Sequence, residues 1–219
     1  MSRSTLILTF AATVFATLAL SSVDFGHLPW ALSRAAGLAS FAALTASVAF
    51  GLLISTKASD GMLPRPFVFE MHQFLSVLSL TLIALHIGSL VFDRYLGLSV
   101  VDLLVPFTSS ENTFAFGIGV VAAWLTGLTT ASFWVRSRIG VKRWRKLHYL
   151  TFAAWGTGLV HGLMAGTDTG APVVYWSYVV SAALVLALTA LRIVDATARR
   201  PAVKKPATTG AGRRVYSES

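Results

Sequence analysis

The chain has 219 residues, of which 55% are hydrophobic and only 12% are charged, and its formal net charge is +9. Soluble domains carry about 25% charged residues, so this composition excludes an ordinary soluble domain and indicates an integral membrane protein. The sequence contains no cysteine, which excludes disulfides, iron–sulfur clusters and thiolate ligation of a metal.

The basic residues are clustered rather than spread along the chain. Of the 18 Lys and Arg residues, six fall in Arg136–Lys146 and seven in Arg192–Arg214. Basic clusters beside apolar segments set membrane topology and attract anionic lipid. We therefore expect anionic lipid, and not nucleic acid, to contact this basic loop and the basic tail.

Six apolar segments approach the ~20 residues that a membrane-spanning helix requires. They are Leu6–Ser22, Leu28–Ser55, Phe69–Phe92, Phe114–Val135, Leu147–Ala165 and Val173–Ile193. Backbone groups in lipid need internal hydrogen bonds, so each segment is predicted to be a helix. The predicted fold is an all-α integral membrane protein, a six-helix transmembrane bundle over residues 1–195. A disordered basic cytoplasmic tail is expected over residues 196–219.

The first segment has a second interpretation. Arg3, the apolar run and the small residues Ser21 and Ser22 are also typical of a signal peptide, whose removal would leave five spans. We expect the segment to be retained. Further along, Pro64 and Pro66 break the chain before the third segment. The apolar stretch Leu96–Phe107 is predicted to lie along the membrane surface.

The distribution of Lys and Arg predicts the orientation of the bundle. With the N-terminus inside, 16 of the 18 basic residues lie on the cytoplasmic side, and only Arg34 and Arg94 lie on the other. Five acidic residues accompany those two, namely Asp24, Asp93, Asp102, Glu111 and Asp168. By the positive-inside rule, both termini of this multi-pass cell-membrane protein are predicted to be cytoplasmic.

Four histidines lie within two of these segments. His72 and His86 are 14 residues apart in the third, and His148 and His161 are 13 apart in the fifth. At ~1.5 Å per residue each pair spans roughly 20 Å, less than the ~30 Å hydrocarbon core. Both segments run from inside to outside in the predicted topology. His72 and His148 should therefore lie near the cytoplasmic face, and His86 and His161 near the outer face. Such pairs of imidazoles suit the axial positions of two haems between the third and fifth helices.

Helical geometry suits the spacing of 14 residues better than the spacing of 13. Fourteen residues turn a helix by ~1400°, within ~40° of whole turns, so His72 and His86 share a face. Thirteen residues leave His148 and His161 ~140° apart. The fifth helix is then either distorted, for example near Gly156 and Gly158, or its two haems lie on different sides of it.

Other roles for these polar residues stay open at this point. A single intramembrane histidine can simply hydrogen-bond a neighbouring helix, whereas zinc would need more than the two ligands that each pair supplies. Arg34 either extends to the lipid headgroups or binds the propionates of an outer haem through its planar guanidinium. His27 is expected to be an interfacial residue. Trp124 is expected to pack in the core rather than to bridge two haems.

Several of these residues belong to motifs that resemble the ferric reductase-like transmembrane domain family. The motifs are Ser33–Leu38 (SRAAGL), the His72/His86 pair, Asp102–Phe107 (DLLVPF), and Trp144–Leu150 (WRKLHYL) leading to His161-Gly162. The family includes the membrane halves of NADPH oxidases, ferric reductases, and the haem-binding subunits of methionine sulfoxide reductase systems. The resemblance covers about Trp30–Leu191.

The resemblance implies a six-helix bundle that holds two b-type haems between the third and fifth spans, with Arg34 near the outer propionates. Histidine spacings of 14 and 13 both occur in this family. Its reductase members continue into flavin- and nicotinamide-binding domains, and the tail here carries no Gly-rich dinucleotide fingerprint. We therefore expect electrons from a separate flavoprotein carrying FMN or FAD, or from quinol. Whether the chain alone is an enzyme stays open.

The function predicted from these features is that of a di-haem membrane cytochrome b. It would carry electrons from a cytoplasmic flavoprotein to an extracytoplasmic acceptor. One alternative is a quinol-oxidising subunit that feeds an extracytoplasmic reductase, such as a methionine sulfoxide reductase. The other is a haem-binding membrane protein without electron transfer.

Overall fold

The computed structural model describes residues 26–56 and 63–198, of which 82% are helical and none is in a strand. The helices in these ranges are α1 (Leu28–Ser55), α2 (Arg65–Leu90), α3 (Val100–Leu104), α4 (Thr113–Ile139), α5 (Val141–His148), α6 (Leu150–Ala165) and α7 (Pro172–Ala198). The predicted first span, Leu6–Ser22, lies outside the described residues, as does most of the predicted tail. Helix α7 includes the first three residues of the predicted tail, 196–198.

Four of the helices, α1, α2, α4 and α7, are long and apolar enough to cross a membrane. Helix α6 has 16 residues and is shorter, but only Tyr149 separates it from α5. The described part of the chain is thus all-helical and compatible with the predicted class of all-α membrane protein. The count of six spans stays a prediction.

Local sequence explains where three of the long helices begin and where one of them ends. Proline lies in the first turn of α1 (Pro29) and of α2 (Pro66), where its missing N–H costs no hydrogen bond. The Asn112 side chain accepts a hydrogen bond from the backbone N–H of Ala115 and caps α4. Gly140 ends that helix with a φ of 84°, which glycine adopts without the penalty that a Cβ imposes.

The connector between α2 and α4 carries the short helix α3. Ser99 and Asp102 form a reciprocal capping box at its start, and its apolar residues Val100, Val101 and Leu104 are exposed. Exposed apolar side chains of this kind agree with a segment lying along the membrane surface. Trp124 was expected in the core, which is wrong: its side chain is 60% exposed, and its Nε1–H donates to the carbonyl of Leu104 at 2.8 Å.

The long helices form two antiparallel pairs, α1 with α2 and α4 with α6, and α1 also contacts α6 and α7. Their shared core consists of buried apolar residues of α1, α6 and α7, namely Leu44, Val48, Leu52, Trp155 and Val185. Trp155 donates its Nε1–H to Thr45 Oγ1 at 3.0 Å, so this buried indole is satisfied. Among the described helices, α2 and α6 are not in extensive backbone contact. The four histidines lie in the space between them.

Candidate functional site

The histidines meet in two pairs across the space between α2 and the α5–α6 segment. The ring centroids of His72 and His148 are 6.1 Å apart with an interplanar angle of 86°. Those of His86 and His161 are 6.2 Å apart at 71°. These are the pairs that the sequence predicted.

The separation within each pair fits one metal ion between the two rings. Metal–imidazole bonds are about 2.0–2.1 Å long, and a ring centroid lies about 1.1 Å behind its nitrogen. Two imidazoles on opposite sides of one metal therefore have centroids about 6.3 Å apart. The observed 6.1 and 6.2 Å match this value.

Three of the four imidazoles are anchored to the backbone of a neighbouring helix. The Nδ1–H groups of His72, His86 and His161 donate to the carbonyls of Ser47, Ser33 and Ala115, respectively, each at 2.8 Å. A carbonyl oxygen only accepts, so the proton is on Nδ1 and Nε2 carries a lone pair. Metal-binding histidines use this arrangement, because it fixes the tautomer and the ring orientation and raises the basicity of the ligand.

Each of these acceptors is followed four residues later by a glycine that makes room for the ring. The acceptor and glycine form what we call an imidazole seat, and the three seats are Ser33/Gly37, Ser47/Gly51 and Ala115/Gly119. A Cβ on Gly37 would lie 3.1 Å from His86 Nδ1, and one on Gly51 would lie 3.1 Å from His72 Cε1. On Gly119 it would lie 2.5 Å from His161 Nδ1. A side chain at these positions would displace an imidazole.

The two seats of α1 repeat with the period of the histidines that they hold. Ser33 and Ser47 are 14 residues apart, as are His72 and His86. In each seat the serine hydroxyl also donates back to the histidine carbonyl, at 3.3 Å for Ser33 and 3.4 Å for Ser47. Sequence reasoning missed these seats, although the repeated Ser-x-x-x-Gly pattern at an interval of 14 would have indicated them.

His148 differs from the other three histidines. Its Nδ1 is buried and has no hydrogen-bond partner among the described residues. Its ring instead stacks on Trp144, with centroids 5.1 Å apart and an interplanar angle of 27°. The His72–His148 pair therefore has one imidazole anchored by a carbonyl and one held by an aromatic ring.

A break between α5 and α6 offsets part of the rotation that makes a spacing of 13 unfavourable. Tyr149 N–H bonds to the Lys146 carbonyl, and Phe152 N–H to the Tyr149 carbonyl. These are bonds of the 3₁₀ type, which turns by ~120° per residue instead of ~100°. The extra rotation brings His148 and His161 closer to one face. The distortion expected near Gly156 and Gly158 lies at Tyr149 instead, and His148 is the last residue of α5.

The His86–His161 pair opens onto a cavity of about 350 Å³ that Arg34 and Asp168 also line. Arg34 Nε donates to Asp168 Oδ2 at 2.7 Å, and a second ion-pair contact joins the guanidinium to the other carboxylate oxygen. The guanidinium also lies 4.0 Å from the centre of the Trp30 ring. Arg34 thus engages a carboxylate of the chain itself, a partner that sequence reasoning missed. Contact with haem propionates stays a prediction. His27 is an exposed residue at the start of α1.

The set of donors fits haem better than a metal ion bound by the protein alone. Over the described residues no group of three or more His, Cys, Asp or Glu side chains could hold a metal ion. A four-coordinate zinc would lack two ligands at either pair. A porphyrin brings four nitrogens of its own, and its iron takes axial ligands from the protein. The two imidazoles of each pair could supply both of these protein ligands.

Comparisons with known protein families, with curated proteins and with solved structures find no match for the chain. Its function is therefore inferred from the residues of the site.

Proposed function

We propose that the chain is a two-haem membrane cytochrome b, similar to the ferric reductase-like transmembrane domain family, that passes single electrons across the bilayer. The observation that carries this proposal is the presence of two imidazole pairs, 6.1 and 6.2 Å between centroids, on facing helices. The three carbonyl-anchored Nδ1–H groups support it, because they leave Nε2 as the nitrogen that binds iron.

Each residue of the site has a role in this proposal. His72 and His148 would hold the inner haem, and His86 and His161 would hold the outer one. Bound haem supplies one-electron chemistry at its iron, at a potential set by its ligands and surroundings. With two imidazoles from the protein, each haem would be suited to electron transfer rather than to direct binding of oxygen.

The surroundings of the two histidine pairs support the assignment of each pair to one side of the membrane. At the inner end, Lys142, Arg143, Arg145 and Lys146 of α5 are exposed, which favours the cytoplasmic side. This surface suits an acidic face of a flavoprotein donor as well as anionic lipid. At the outer end, Arg34 lies beside the cavity and is assigned to the propionates. The acceptor would be extracytoplasmic.

Haem quantification of the purified full-length chain tests the proposal. The wild-type protein should contain two haems per chain, with an absorption spectrum of low-spin bis-histidine haem. His86→Ala should contain about one, and His86→Ala combined with His161→Ala should also contain about one, because both residues serve the same haem. His27→Ala is the matched control and should retain two. A wild-type protein with at most one haem, or an unchanged content in His86→Ala, would contradict the two-pair assignment.

A further inference from the structure

We propose that Trp144 is the positioning residue of the fourth imidazole, taking the place of a seat for His148. This inference rests on the proposed haem function. It starts from the asymmetry of the inner pair, in which His72 donates to Ser47 while Nδ1 of His148 is buried and unpartnered. The stack of Trp144 on His148, 27° from parallel, is the contact that sets the plane of that ring.

The helix geometry brings the two rings together. Trp144 and His148 are four residues apart in α5, so their side chains lie on the same face, one turn apart. An aromatic stack defines the plane of the imidazole without using either of its nitrogens. His148 can then present Nε2 to a metal even though no carbonyl fixes its tautomer.

Trp144 is itself held in place by α4. Its Nε1–H donates to Ser132 Oγ at 3.1 Å, and Ser132 Oγ–H donates to the Thr129 carbonyl at 2.7 Å. Ser132 is 4% exposed, so this short chain of hydrogen bonds is shielded from solvent. Phe133 contacts the indole edge-on, with centroids 6.4 Å apart. The position of the indole, and with it that of the imidazole, is therefore tied to α4.

The register of the other seats explains why an aromatic residue is needed here. On α1 the glycines of the two seats are 14 residues apart, Gly37 and Gly51. On α4 the corresponding position after Gly119 is 133, which is phenylalanine. A phenylalanine side chain leaves no space for an imidazole to approach the backbone. The second seat on α4 is thus filled, and Trp144 supplies the support that the missing seat would have given.

The test is a set of variants in the intact chain, measured by haem content and by low-temperature electron paramagnetic resonance of the oxidised protein. Single His72→Ala and His86→Ala variants assign the inner and outer signals. Trp144→Ala should lower the haem content from two to about one, with loss of the inner signal and an unchanged outer signal. Trp144→Phe keeps the stack and should retain two haems. Trp176→Ala, which removes an exposed tryptophan of α7, should match the wild type.

Ser132→Ala provides a second, milder variant if Trp144→Ala does not accumulate in the membrane. Removing the hydroxyl frees the indole to rotate, so the inner signal and the inner midpoint potential should shift while the outer ones stay unchanged. The inference would be overturned if the inner signal were unaffected in Trp144→Ala. If only Ser132→Ala accumulates, an unaffected inner signal in that variant would overturn it. Equal changes at both haems would also overturn it. A wild-type chain without haem would instead overturn the proposed function.

Discussion

At the scale of single residues, the site depends on the histidine side chains and also on the glycines of the seats, whose lack of a side chain leaves room for the rings. The acceptors of the three seats are main-chain carbonyls, which every residue has. The glycine four positions later lets the imidazole reach the carbonyl. The histidines could be found from the sequence because their side chains carry the chemistry. The two seats of α1 are marked only by the repeated Ser-x-x-x-Gly pattern, and no comparable repeat marks the Ala115/Gly119 seat of α4.

The seat on α4 is the most crowded and gives the sharpest test. In Gly119→Ala the new methyl group would lie 2.5 Å from His161 Nδ1, so either the ring or the helix must move. Overpacking of this kind costs about 1–3 kcal/mol. We expect the outer haem to be lost or its absorption band to weaken, as measured by haem content and difference spectra. Gly127→Ala in the same helix is the control, since its nearest neighbour would be 3.9 Å away. Equal haem loss in both variants would refute the steric explanation.

The opposite charges of Arg34 and Asp168 at the outer cavity should shift the midpoint potential of the outer haem in opposite directions. A nearby positive charge stabilises the reduced haem, and a negative charge destabilises it. Arg34→Gln should therefore lower the outer midpoint potential and Asp168→Asn should raise it. Both side chains are partly exposed, so we expect shifts on the order of tens of millivolts. Redox titration in membranes measures both haems, and Arg94→Gln serves as an exposed control. Shifts of the same sign in Arg34→Gln and Asp168→Asn would exclude this electrostatic role.

At the scale of helices, hydropathy and proline placed most of the boundaries. The prediction for the segment Leu28–Ser55 matches α1 to the residue, whereas α2 begins at Arg65, four residues before the expected Phe69, and includes Pro66 in its first turn. The break at Tyr149 was not predicted. It consists of a change from α-type to 3₁₀-type backbone bonds, and no glycine or proline marks it. Glycines are the only residues of this segment whose type predicts a helix distortion, and Gly156 and Gly158 lie away from the break.

The surface helix α3 should respond to acid through its capping box. Two hydrogen bonds hold the pKa of Asp102 below its ordinary range, a larger contribution from the Ser99 side chain and a smaller one from the Ser99 backbone N–H. The folded form therefore gains stability above the unfolded pKa, near ~4, and loses it as pH falls through the lower folded value. The protection of amides 96–107 against hydrogen exchange, corrected for the intrinsic pH dependence of exchange, should fall below about pH 4. Asp102→Asn should show weak protection that does not change further in acid, whereas an acid response that survives this substitution would assign it to another group.

At the scale of the whole molecule, the site arises because two antiparallel helix pairs face each other. Helix α1 supplies the seats for the histidines of α2, and α4 supplies one for α6. Sequence periodicity could predict which histidines share a depth, because depth follows from position along a helix. It could not predict contacts across the bundle. Ser33 and His86 are 53 residues apart, and Arg34 and Asp168 are 134 apart, so packing alone brings them together.

The orientation of this bundle decides which pair is the inner one, and the chain is well suited to a direct test. Because the sequence has no cysteine, a single introduced cysteine is the only thiol that a reagent can label. Ser137 and Ser110 are both exposed, and they lie at opposite ends of α4, beside the basic α5 and after α3, respectively. The clustered Lys and Arg residues predict that the Ser137 end faces the cytoplasm.

In intact cells, a membrane-impermeant maleimide should therefore label Ser110→Cys and leave Ser137→Cys unlabelled. Permeabilised cells should label both, which controls for the reactivity of each thiol. The same experiment on inverted membrane vesicles should reverse the pattern, because the cytoplasmic face is then outside. If Ser137→Cys is the one labelled in intact cells, His72 and His148 would form the outer pair. The basic surface of α5 would then face away from any cytoplasmic flavoprotein.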